Sequence, residues 1–223
     1  MAESLLDTND GSSLFDRMPE QGADASVYIM RHGRTAMDMG SNRSDGWLDM
    51  PLTDEGRVKL IPAQQMLKSV PLTTIYAPDL KRTVETGEII KSGTASDPDL
   101  VSTRKARTWN LGIIAGMKKS DGRPKVKDLK LNPTRTPPGG ESYGEFSARF
   151  LAWLNPVMEK AKKDGPVLLV MSGSNLRLIG LEYFEDESDC DLDEGGLAAL
   201  HYEDGGWRCE VLLGHEDAAP YES

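Results

Sequence analysis

The stretch Val27-Tyr-Ile-Met-Arg31-His32-Gly33-Arg34-Thr35 decides how the rest of the chain is read. Four apolar or aromatic residues give way at once to arginine, histidine and glycine. Two further runs repeat the pattern, Thr74-Ile-Tyr76 and Val167-Leu-Leu-Val-Met171, each followed by small or polar residues and then by a helix-like segment. That alternation predicts an α/β fold, three layers deep, with a mostly parallel central sheet between helices. In open sheets of this kind ligands bind beyond the carboxyl ends of the strands, where the first run delivers Arg31, His32 and Gly33.

Outward from these strands, Leu80, Val84, Gly87 and Ile90 predict one face of a helix after the second run, and Phe146, Phe150, Leu154, Val157 and Met158 predict another before the third. Pro156 should kink the latter, and Pro62 a helix beginning near Thr53. Leu197–Tyr202 and Trp207–Leu213, joined across Asp204-Gly205-Gly206, read as an antiparallel hairpin. Residues 1–25, with six acids, one arginine and no hydrophobic periodicity, read as a mobile leader. A single domain is expected over 26–215, followed by a tail over 216–223; 223 residues are too few for two domains of ordinary size.

No run approaches the roughly 18 apolar residues of a membrane span, and the first ten residues lack the basic and apolar regions of a secretion signal, so the expected location is the cytoplasm. Cys190 and Cys209 lack metal-ligand spacing and read as two reduced thiols rather than a disulfide. A formal charge of -10 argues against nonspecific binding to nucleic acid. A local cationic pocket could still capture a small phosphorylated molecule.

Histidine at a strand exit can attack phosphorus through a neutral ring nitrogen, while a neighbouring arginine offers a fork of donors to phosphoryl oxygens. Gly33 would let the backbone pass close to the phosphate. Alone, Arg31-His32-Gly33 is a weak signal, but it is followed by Gly46-Trp-Leu-Asp-Met-Pro-Leu-Thr-Asp-Glu-Gly56, Tyr76-Ala-Pro-Asp-Leu-Lys-Arg-Thr-Val-Glu-Thr86, Gly139-Gly-Glu-Ser142 and Val170-Met-Ser-Gly173. In this order the motifs resemble the histidine phosphatase superfamily, its phosphoglycerate-mutase-like branch in particular, over about residues 26 to 213. The resemblance implies that His32 is the nucleophile and that Arg31 and Arg82 bind phosphate, with Thr35, Asp38, Glu141, Ser172 and Gly173 around them. It implies no metal and no cofactor, since two guanidiniums can neutralise the phosphoryl oxygens.

Three positions depart from the family's pattern. Ser172 stands where a second histidine precedes the glycine of the third strand exit, so a neutral donor replaces a charge-assisted one. Thr108 stands where a glutamate usually protonates the leaving group; either another carboxyl group, such as Glu141, takes the part, or the leaving group needs no acid. Asp38 replaces an asparagine and should repel phosphate unless paired with Arg34 or Arg43. Two readings follow. The protein is a metal-independent phosphatase acting through a phosphohistidine on a substrate with a good leaving group, or it is a pseudophosphatase that binds a phosphorylated ligand or partner without turnover. A mutase is disfavoured by Thr108 and Ser172.

Between Met117 and Pro138 lie Lys118, Lys119, Arg123, Lys125, Lys127, Lys130 and Arg135 against Asp121 and Asp128. This island reads first as a solvated basic loop and second as a lid that attracts the remote anionic part of a substrate. From Glu182 to Glu194 eight acids read as a mobile charged loop, since the spacing does not match a calcium-binding loop. His201 and His215 read as surface or packing residues.

Overall fold

The computed structural model describes residues 25–38 and 42–214. The expected leader, apart from its last residue, the expected tail and His215 all lie outside these. Six strands form one sheet in the order β3-β2-β4-β1-β5-β6: β1 (Ala25–Arg31), β2 (Thr74–Pro78), β3 (Asp99–Thr103), β4 (Val167–Met171), β5 (Leu197–Glu203) and β6 (Gly206–Leu213). β3, β2, β4 and β1 run parallel, while β5 is antiparallel to β1 and β6 to β5. The mostly parallel sheet expected from the three apolar runs is therefore present, with β3 as an unanticipated edge. The predicted hairpin turns at Asp204 and Gly205, whose φ values of 51° and 85° suit a tight turn between right-twisted strands.

Helices cover both faces, and the period-2 pattern of the strands shows how. Val27 and Ile29 of β1 and Val167, Leu169 and Met171 of β4 join one core with Phe146, Phe150, Leu154, Met158, Leu176 and Ile179. Tyr28, Met30, Leu168 and Val170 point the other way, into a second core with Leu60, Ala63, Met66 and Ile90. The helices of the first face are α5 (Tyr143–Asp164) and α6 (Gly173–Phe184); those of the second are α1 (Asp54–Val58), α2 (Ile61–Met66) and α3 (Lys81–Gly93). Alternation places neighbouring side chains on opposite faces, so β1 and β4 each serve both cores.

Several local expectations are corrected. Pro62 does not kink a helix but opens one: α1, capped by Thr53 accepting from the Gly56 amide, ends at Val58, and α2 carries Pro62 in its first turn, where no amide hydrogen is needed. α5 starts at a reciprocal cap between Ser142 and Glu145 and carries Pro156, the expected kink position, inside its length. Leu80, Gly87 and Ile90 are buried as expected for α3, Val84 is only partly so, and Arg82, Thr83 and Thr86 are buried with them. Much of the basic island is helix and not loop, namely α4 (Lys119–Leu131), which buries only Gly122 and Leu129. The acidic segment after α6 is tied down by Lys130–Glu187, Arg177–Asp191 and Arg31–Glu194 ion pairs and buries Cys190 and Leu192, so it is not the free charged loop expected.

Candidate active site

β1 and β4 are parallel neighbours in which Arg31 pairs with Met171, and the His32 amide donates to the Met171 carbonyl at 2.9 Å. His32 and Ser172 therefore leave the sheet side by side. Gly33 follows, and its reason is packing: a Cβ there would lie 2.9 Å from the Gly56 carbonyl, and one on Gly56 would lie 2.2 Å from the Arg34 carbonyl. The two glycines let α1 seat directly on the turn after β1. The turn is also tied to α3, because the Gly33 amide donates to Thr86 Oγ1 (3.0 Å), whose hydroxyl donates to the Arg82 carbonyl (2.7 Å).

His32 is buried, and its Nδ1 lies 2.8 Å from the Gly33 carbonyl oxygen. A carbonyl can only accept, so Nδ1 carries the proton and Nε2 keeps its lone pair. Burial, then the charge of Arg82, pushes the His32 pKa down to about 3 against the opposing pull of Asp38. The ring is a neutral imidazole across the physiological range.

The two arginines are held in the same way. Arg82 is fully buried at the start of α3; its Nη1 donates to the Leu48 carbonyl (2.7 Å) and its Nη2 to the Gly46 carbonyl (2.9 Å). Arg31 Nη1 donates to the Leu192 carbonyl (3.0 Å), and Nη2 donates to Glu194 in a partly buried ion pair. In both, Nε is buried with no hydrogen-bond partner among the described residues, as is Ser172 Oγ. Native structures seldom leave buried donors unpaired, and three such atoms belong to residues around this strand edge.

The carboxylates around this edge differ from expectation. Asp38 accepts from the Thr35 amide (3.0 Å) and hydroxyl (2.9 Å) and lies 3.8 Å from Lys119 Nζ, so its cation is Lys119 and neither Arg34 nor Arg43. Burial works to raise the Asp38 pKa, while the Thr35 bonds and the Arg31 charge work to lower it. Thr35 is buried and spends its polar atoms on Asp38, on Asp45 (3.3 Å) and on the Met37 amide, which leaves it a structural part. Asp45, absent from the sequence-based set, is raised in pKa by burial, against Arg82 and with Asp38. Glu194 is the second residue missed.

Two further candidates are occupied. Glu141 takes both bonds of an Arg149 fork (2.7 and 3.1 Å) and accepts from the Asn110 amide (3.0 Å), so it is committed to holding the segment around Thr108. Thr108 is buried, and its carbonyl accepts from Trp47 Nε1 (2.7 Å). Gly173 opens α6 with the Arg177 guanidinium 3.3 Å from where its Cβ would be. Among the described residues no three His, Cys, Asp or Glu side chains are grouped to hold a metal ion. A cleft of about 610 Å³ is lined by Arg43, Lys118, Asp121 and Lys125 among others. It adjoins the site, since Arg43 pairs with Lys118 across a β-bridge and Lys119 reaches Asp38.

A buried neutral histidine and two back-anchored arginines thus lie at the carboxyl edge of a three-layer α/β sheet, the edge at which such sheets bind their ligands. The family is then plain: the chain belongs to the histidine phosphatase superfamily (branch 1), whose family model matches residues 27–213. Among relatives, it is 27% identical over 169 residues to 2,3-bisphosphoglycerate-dependent phosphoglycerate mutase 2 of Gloeobacter violaceus, covering 71% of this chain and 75% of that one. It is 24% identical over 188 residues to a metal-independent phosphoserine phosphatase of Arabidopsis thaliana, covering 81% and 78%. The crystal structure of TTHB049 from Thermus thermophilus superposes with a TM-score of 0.65 at 26% identity, over 85% of this chain and 99% of that one. A phosphoglycerate mutase from Bacillus anthracis shares the fold with a TM-score of 0.70 at 23% identity, over 84% and 93%.

Proposed function

We propose that the protein is a metal-independent phosphatase that transfers a phosphoryl group to His32 Nε2 and hydrolyses the phosphohistidine with water. The observation that carries this reading is the His32 ring: the Gly33 carbonyl fixes its tautomer and its low pKa keeps Nε2 unprotonated. As Nε2 bonds to phosphorus, the ring acquires positive character, which the Gly33 carbonyl and the nearby Asp38 carboxylate stabilise. Asp38 thereby serves the nucleophile at some cost in phosphate affinity. Arg31 Nε, Arg82 Nε and Ser172 Oγ supply the donors for the phosphoryl oxygens.

Thr108 cannot protonate a leaving group, and Glu141 is held by Arg149, so the substrates are those whose leaving group needs no acid, such as acyl phosphates, phosphoanhydrides or phosphohistidine. The cationic cleft at Arg43, Lys118 and Lys125 suits a second anionic part of a small phosphorylated molecule. We place the protein in the cytoplasm, with neither nucleic acid nor membrane as partner; the charge of -10 supports the first exclusion, and no described helix is long and apolar enough to cross a membrane. The test compares acetyl phosphate with an alkyl phosphomonoester in the presence of a chelator. Hydrolysis of the acyl phosphate, at least ~100-fold faster than of the ester and abolished by His32→Ala, supports the reading; equal or absent hydrolysis of both contradicts it.

A second reading has its own observation. Glu194 and Asp38 place carboxylates against the phosphate-binding arginine and histidine, which weakens the hold on a dianion. A ligand-binding module without turnover would bind a phosphorylated ligand saturably, and binding would survive His32→Asn.

A further inference from the structure

Cys190 and Cys209 take no part in phosphoryl chemistry, yet the fold brings them together. Cys190 is wholly buried in the segment after α6; Cys209 lies half-buried on β6, opposite Leu200 of β5. Their Sγ atoms lie 3.9 Å apart with no covalent bond between them. A disulfide spans about 2.05 Å, so the sulfurs need approach by only about 2 Å to bond. Two residues past Cys190 the Leu192 carbonyl, and two beyond that Glu194, accept from Arg31. The thiol pair therefore stands at the root of the segment that orients the arginine of the site.

We propose that Cys190 and Cys209 are a dithiol–disulfide couple whose oxidation by a low-molecular-weight disulfide fastens the segment from Cys190 to Gly196, and with it the acceptors of Arg31, onto β6. The Cys190 S–H donates toward the Cys209 sulfur and holds the Cys209 thiol below its ordinary pKa, while the same contact and burial push Cys190 up. Cys209, the more accessible of the two, is the entry point. Its thiolate attacks one sulfur of the oxidant, breaking that S–S bond and releasing one thiol as the proton of Cys209 is taken up. The Cys190 sulfur then attacks Sγ of the mixed disulfide and expels the second thiol, which takes the Cys190 proton. The protein loses two electrons and two protons, and the oxidant is reduced to two thiols. The couple stands on the geometry of the thiols and holds whether or not His32 turns over.

Full-length protein incubated with excess oxidised glutathione tests it. The expected product has lost both thiols, carries no glutathione and yields a peptide pair joined through Cys190 and Cys209 that dithiothreitol separates. Because the bridge closes a loop between residues 19 apart, its formation should raise Tm by about 5–10 °C and slow amide exchange at residues 191–196. Cys209→Ser, at the half-exposed position, should fold normally and lose both shifts; Cys190→Ser, if it folds, should retain glutathione on Cys209. Glutathione persisting on Cys209 of the otherwise unaltered protein, cross-links only between molecules, or a cross-link that leaves exchange at 191–196 unchanged would each overturn the proposal.

Discussion

Arg82→Met removes a cation that the whole edge of the site is built around, while keeping an unbranched side chain of similar reach in its place. Arg82 is fully buried, and its two carbonyl bonds to Gly46 and Leu48 are charge-assisted; such bonds contribute about 1.5–3 kcal/mol each. Burial draws the Arg82 pKa below its ordinary value, against the fields of Asp45, Asp38 and Asp49, so desolvation offsets part of that gain. The loss also takes from Asp45 the cation that most lowers its pKa, and from the loop over Gly46 and Leu48 its anchor. Deleting one member of a buried charged group costs about 3–5 kcal/mol, and for a chain of this size that lowers Tm by roughly 6–20 °C. Urea unfolding followed by tryptophan fluorescence reads the change, with an unaltered m-value showing that the folded state remains compact. Arg82→Lys should recover only part of the loss, because a single ammonium cannot meet both carbonyls and still leave a donor facing the site. The deficit of Arg82→Met should shrink in acid, where Asp45, already raised in pKa, takes up a proton and no longer needs the cation. A cost below about 1 kcal/mol at neutral pH would refute this account of how Arg82 is held.

His32 favours its neutral form in the folded protein, with a pKa lowered to about 3, while the unfolded chain binds the proton near 6.5. Stability should therefore be flat above about pH 6.5 and fall as pH drops from there toward 3, by up to about 1.4 kcal/mol per unit, and His32→Asn should remove that slope between pH 6.5 and 5. Gly56→Ala would press its Cβ to 2.2 Å from the Arg34 carbonyl; unfolding titration should show a loss of about 3 kcal/mol or more, and a neutral result would mean α1 is not seated as described. Ser172→Ala removes a buried hydroxyl that has no partner among the described residues. It should leave Tm nearly unchanged while weakening inorganic phosphate binding severalfold by calorimetry; a large fall in Tm with unchanged phosphate binding would assign Ser172 to the fold instead.

Much of the fold was legible because its signal is apolar periodicity. β1, β2 and β4 are short runs bounded by polar residues, and β4 is buried along its whole length. β3 escaped notice because, as an edge strand, it is largely exposed, and Asp-Leu-Val-Ser-Thr carries little hydrophobic pattern. α4 was hidden by Gly122, Pro124 and its many charges, since it rests on the domain through only two buried residues. The polar part of the buried side of α3 was missed because Thr83 and Thr86 satisfy their hydroxyls on nearby carbonyls and so bury without an apolar signature. At the site, Arg31, His32 and Arg82 came from motif order, but their partners did not. Glu194 lies 163 residues from Arg31 and reads as one more acid in an acidic run. Asp45 carries a weak clue in the Gly46-Trp47 that follows it, whereas its role depends on Arg82 arriving from another element. Glu141 stayed open as one alternative for the acid because sequence could not show Arg149 folding back onto it.

Phosphoryl transfer to His32 is the claim on which the functional account rests, and it can be read directly. Protein mixed with ³²P-labelled acetyl phosphate and quenched in alkali within seconds should carry label at His32 alone, stable to base, lost in mild acid, and absent from His32→Ala. Label on a carboxylate or another residue, or no label at any time while acetyl phosphate is being consumed, would contradict it.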